Sequence, residues 1–173
     1  MRSLIESIRD IESGRDRLLR RPYGVIEAVR GKFVRVQLKP WPKIASRMEV
    51  HWAKSFKSKH RERDVCRVFY NQPIGHRNFL TLSYVESSHE TQLKTFYATL
   101  DVLTQIAFIK HSDAILAEVT NERISDRFMI RRGWERHREQ SRQRHWIKRF
   151  YGTYPDSAKA FMKKTVKQEM GSV

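Results

Sequence analysis

Between Ser87 and Lys110 the chain sets Leu93, Phe96, Tyr97, Leu100, Leu103 and Ala107 at helical spacing. Val102, Ile106, Phe108 and Ile109 widen the stripe until little of the circumference stays polar. A helix apolar nearly all round must be covered on most sides, so the remaining chain has to supply a sheet or further helices around it. Ser87-Ser88-His89-Glu90 ahead of it fits a capping box, the Ser87 hydroxyl capping the helix and Glu90 reaching back three residues. Lys110-His111-Ser112-Asp113 closes it, with basic groups at the negative end of the helix.

Strand signals surround this helix. Tyr23–Val29 and Lys32–Leu38 are β-rich and separated by Arg30-Gly31, a two-residue hairpin turn. Asp64–Tyr70 alternates, Asn71-Gln72-Pro73-Ile74-Gly75 reads as a loop, and Asn78–Val85 reads as the next strand. Two further helices are expected. Arg2–Arg20 carries Leu4, Ile8, Ile11, Leu18 and Leu19 near one face and ends at Pro22, and Lys43–Lys59 repeats Ile44, Met48, Trp52 and Phe56 every fourth position after the break at Lys39-Pro40-Trp41-Pro42. The pattern predicts an α+β or α/β domain over residues 1–155, with a mixed, mainly antiparallel, twisted sheet and flanking helices; residues 156–173 read as a basic tail or short helix.

The 35 Lys and Arg against 19 Asp and Glu leave a formal charge of +16, so an anionic partner is expected. Charge gives the partner's sign and leaves coenzyme, nucleic acid and acidic membrane surfaces open. Cys66 stands alone, which excludes an internal disulfide and a Cys-based metal site and suits a reducing compartment. No two of the seven His have HxxxH spacing, so no metal is expected. The longest uncharged runs fall far short of the roughly 20 residues that span a bilayer. Glu6, Asp10 and Glu12 interrupt any signal-like N-terminus. A cytoplasmic location is the expectation; the oligomeric state stays open.

Ala114 to Trp134, AILAEVTNERISDRFMIRRGW, reads as a strand, a cap at Thr120-Asn121, a helix over Glu122–Arg132, a stop at Gly133 and a new strand from Trp134. This order is similar to the last helical unit of the GNAT acyltransferase superfamily, in which a strand ending in Asn leads to a short helix and then to Gly and an aromatic. The resemblance covers roughly residues 80 to 151. It implies a GNAT-like layout and an acyl-CoA-dependent N-acyltransferase, with acetyl-CoA or another acyl-CoA as donor. Two positions depart from the family pattern. Val85 to Glu90, where that family cradles the coenzyme pyrophosphate, contains no glycine, and Phe128 and Met129 occupy the places of its proton-donating Tyr. The expectation therefore includes a descendant that kept the fold and lost part of the cofactor site. The runs ISDRFMIRRGWERH and RHWIKRFYG also resemble a bacterial family without an assigned activity.

The proposed order gathers Glu86, Ser87, Ser88, His89, Glu118 and Asn121 near the C-terminal ends of two central strands. Acyl transfer to an amine needs a base for the ammonium proton and donors for the thioester oxygen. Glu86 and Asn121 are the catalytic candidates, Glu86 serving as base if burial raises its pKa. Ser87, Ser88 and His89 are the cofactor-binding candidates, through N–H groups at a helix start. Plain structural roles are open for all of them, as strand end, caps and surface residue.

From another class comes a nucleic-acid-binding reading, for RNA in particular. Arg136, Arg138, Arg142, Arg144, Lys148 and Arg149 surround Trp146 in a predicted hairpin, and Lys54 to Arg67 adds a second basic face. Guanidinium groups meet phosphates and aromatic rings stack on bases. An open helix N-terminus beside a cleft favours the enzyme; an exposed Trp146 or Trp41 in a continuous basic stripe favours RNA. A structural or interaction module working through its basic surface is the third reading.

Overall fold

A computed structural model describes residues 6–39, 64–120, 124–138 and 142–159. Among them the chain runs β1 (Glu6–Ile8), α1 (Arg15–Arg20), β2 (Tyr23–Val29), β3 (Lys32–Lys39), β4 (Val65–Asn71) and β5 (Phe79–Ser87). It continues through α2 (Leu93–Ile109), β6 (Ala114–Glu118), α3 (Asp126–Arg131), β7 (Glu135–His137) and β8 (His145–Arg149), ending in a 3-10 turn at Asp156–Lys159. The eight strands form one open sheet in the order β1-β3-β2-β4-β5-β6-β8-β7. Every pairing is antiparallel except β5 with β6, which are joined by the α2 crossover. The class is α+β, with a mixed sheet as expected.

The β2–β3 hairpin turns on Arg30 (φ 50) and Gly31 (φ 79), the left-handed pair that a two-residue turn between twisted strands requires. α2 lies across the sheet face that carries Ile26, Cys66 and Val68, and its residues Thr99, Leu103, Ile106 and Ala107 are buried. The opposite face carries a cross-strand charge ladder. Arg35 pairs with Glu27 at 2.9 Å, Arg67 with Glu27 at 3.5 Å and Arg67 with Glu86 at 3.4 Å. At the other end of α2, Lys110 sends its Nζ to the Arg21 carbonyl (3.0 Å) and to Gln72 Oε1 (3.3 Å), fixing the helix to α1 and the β4–β5 loop.

Three expectations are corrected. The single helix over Arg2–Arg20 is instead β1, a turn and α1. Asp10 accepts from Ser13 N and Gly14 N to make that turn, and β1 gains a ladder with β3 that an isolated helix could not offer. Ile8, Ile11 and Leu18 are still buried, so the apolar residues reach the core through a different backbone. The capping box at Ser87 does not form. β5 runs on to Ser87, opposite Cys66, and α2 starts at Leu93 with Gln92 as a cap that uses no side chain. Pairing with β4 takes those residues as strand, which outweighs a local cap worth about 1 kcal/mol. Finally, α3 is shorter than Glu122–Arg132 and is capped by Ser125, whose Oγ accepts from Phe128 N at 3.2 Å. Gly133 (φ 77) ends it as expected. The Lys43–Lys59 helix, Trp41, the Asn121 cap and residues 160–173 lie outside the described residues. Among those described, no helix is long and apolar enough to cross a membrane.

Candidate functional site

β5 and β6 pair over four positions, from Phe79 with Ala114 to Leu82 with Ala117, and then part. A bulge in the β4–β5 ladder makes Ser83 an extra residue, so β5 bends and follows β4 out to Ser87. β6 keeps to β8 instead, Glu118 lying opposite His145. The divergence opens a cleft of about 540 Å³ at the C-terminal ends of the two parallel strands, the usual ligand position in sheets with a parallel crossover. Gln92, Leu93 and Phe96 of the α2 start form one wall, and Ile124, Met129 and Trp134 line it from α3 and its flanks. An aromatic stack holds α3 in place. Phe128 lies parallel to Tyr97 at 5.3 Å and against Phe96 at 5.7 Å, and the Arg132 guanidinium sits 3.4 Å from the Tyr97 ring centre.

Cys66 borders the cleft and is fully buried. Burial pushes its thiol up to about 11, against a smaller lowering by the Thr99 hydroxyl at 3.9 Å. It is thus a protonated, unreactive thiol at neutral pH.

Of the predicted residues, the fold brings Ser87 and Ser88 to the cleft, beside Glu118 and Thr120 of the β6 end. Ser87 is exposed there. Ser88 is committed inward: its N–H donates to the Val65 carbonyl (3.1 Å), and its Oγ accepts from Val65 N (3.3 Å) and bonds Thr91 Oγ1 (2.8 Å). His89 is exposed on the turn and is not in the lining. Glu86 faces the other side of the sheet, against Arg67, because neighbouring strand residues alternate faces and Ser87 opposite Cys66 takes the cleft side. Asn121 lies outside the described residues.

Asp64 holds the head of α2 beside the cleft, a role its position in the sequence does not suggest. Its Oδ1 accepts from Gln92 N at 2.9 Å, so a nearly buried carboxylate already stands at the positive end of α2. A second anion such as a pyrophosphate would meet that carboxylate's charge at the helix start. An Asp sitting 28 residues before the helix it caps carries no local signal. Asp64→Ala should lower stability by about 1–2 kcal/mol in urea unfolding, with a smaller loss for Asp64→Asn; an unchanged midpoint in both would deny Asp64 this role.

The basic hairpin is partly engaged internally. Arg144 bonds Asp126 (2.6 Å) and the Ile124 carbonyl, and Arg149 pairs with Glu135. Lys148 is half-buried, and desolvation lowers its pKa against a smaller raising by Asp101. Trp146 is completely buried, with the Arg136 guanidinium 5.3 Å from its ring centre. Arg136, Arg138 and Arg142 are exposed. Among the described residues no three His, Cys, Asp or Glu converge in a metal-holding group. Comparison with protein-family models, with curated proteins and with solved structures gave no match to this chain.

Proposed function

We propose that this chain is an acyl-CoA-dependent N-acyltransferase, or a descendant of one, whose acyl donor enters the cleft between β5 and β6. The observation that carries the reading is the parting of the two parallel strands directly beside the α2 start. The succession β5, turn, α2, β6, α3, Gly133 and Trp134 supports a GNAT-like layout. In such a transfer the acceptor ammonium gives a proton to a base, the free amine nitrogen bonds to the thioester carbon, and the carbon–sulfur bond breaks with its electron pair leaving on CoA as a thiolate that takes up a proton from water.

The chain's own groups divide that work differently from the sequence expectation. Glu118 is the carboxylate that lines the cleft, exposed at its mouth, where it can take the acceptor's proton. Glu86 and its Arg67 partner lie across the sheet. Ser87, at the cleft edge, is a hydroxyl within the mouth and can orient the donor. Phosphate groups belong outside, among exposed cations, because the Asp64 carboxylate bonded to Gln92 N sets a negative charge at the α2 start.

The nucleic-acid reading keeps Arg136, Arg138 and Arg142 as phosphate contacts, yet its stacking ring Trp146 is inside the protein. One experiment separates the two. Thermal unfolding is followed with acetyl-CoA and with ATP at about 0.15 M and 0.5 M salt, the second screening surface charge much more strongly. Selective binding at about 100 times the dissociation constant should add about 2.7 kcal/mol, a rise of roughly 5 to 10 °C that survives salt. Equal shifts by both anions, abolished by salt, would refute the acyltransferase and favour RNA.

A further inference from the structure

The chain carries 35 Lys and Arg, yet among the described residues that line the cleft there is neither, and Glu118 is the one charged side chain among them, exposed at the mouth. The buried lining residues are apolar, Phe96 and Leu100 of α2 with Val119, Met129 and Trp134, whereas the polar lining side chains Ser87, Gln92 and Thr120 are exposed, as is Leu93 at the start of α2. A ligand with a charged far end would find no counterion in these walls and would lose its hydration. An uncharged chain loses little and removes apolar surface from water on both sides. From Leu93 to Leu100 the helix rises about 10 Å. An extended chain of single bonds advances about 1.2 Å per bond, so this depth corresponds to about eight carbons.

We infer that the cleft takes the acyl group of a medium-chain thioester, about six to ten carbons long, in preference to an acetyl group. This rests on the acyltransferase reading and gives its donor class. An acetyl group would stop near the mouth, leaving the Leu100 and Met129 end of the space without a partner. Each further methylene covers part of that end.

Titration calorimetry on the whole chain with CoA, acetyl-CoA, butanoyl-CoA, hexanoyl-CoA and octanoyl-CoA tests the inference, with ATP as the anionic control. Affinity should tighten by about threefold to fourfold per added methylene up to about eight carbons, and Leu100→Trp should move the break to a shorter chain. If CoA and acetyl-CoA bind better than ATP and lengthening the chain gains nothing, the chain-length inference is overturned and the acyltransferase reading stands. If no CoA ester binds better than ATP, both fall. The wild-type series decides the matter even if Leu100→Trp fails to fold.

Discussion

Trp146→Ala is expected to lower the unfolding free energy by about 3–5 kcal/mol, a large part of what holds a domain of this size together. Trp146 sits on β8 opposite Ala117 of β6 and Arg136 of β7, so one ring seals the junction of three strands behind the cleft. Its Nε1 has no hydrogen-bond partner among the described residues. The loss is therefore one of packing volume and of the Arg136 contact with the ring, with no hydrogen bond in it. Trp146→Phe, which keeps an aromatic and sacrifices no hydrogen bond, should cost clearly less. Urea unfolding measures both. A Trp146→Phe variant of unchanged stability that lost nucleic-acid affinity would mean the ring works on the surface, and the burial account would fail.

Lys110 should make stability depend on pH in a direction uncommon for a lysine. Burial lowers its pKa from the ordinary 10.5 to about 8. Below pH 8 the ammonium is charged in the folded and unfolded chains alike, and the folded state bears the full desolvation cost. Between about 8 and 10.5 the unfolded chain binds more protons, so stability rises with pH. The total rise approaches about 3 kcal/mol, and Lys110→Met should lack it. Subtracting the variant's curve from the wild type's cancels every other titrating group. A flat difference between pH 7 and 11 would show that Nζ holds its proton as tightly folded as unfolded, and the burial account of Lys110 would fail.

Legibility followed the range of the interactions. The Arg30-Gly31 turn, the stop at Gly133 and the body of α2 depend on conformations and periodicities local to a few residues, and each is recoverable from the chain. The start of α2 is not. Ser87 could cap a helix or extend a strand, and the choice fell to a ladder with Cys66, 21 positions earlier. The N-terminal segment erred likewise: Ile8 and Ile11 fit a helical stripe, but β3 offered Ile8 and its neighbours strand partners.

The candidate site divides the same way. Ser87, Ser88 and Glu118 are legible in the chain because strand ends beside a helix start are visible in its pattern. Which face each residue takes is not, since one bulged residue at Ser83 reverses every assignment after it. That bulge leaves Glu86 with Arg67 and Ser87 in the cleft. The burial of Trp146 and the placing of Asp64 at the head of α2 also depend on packing between distant segments. The amino-acid order by itself determined the charge, the central helix and the strands around it, because those arise from composition and short spacing. Tertiary structure alone decided where β5 and β6 part, and so where the cleft opens, because that depends on which neighbour each strand follows.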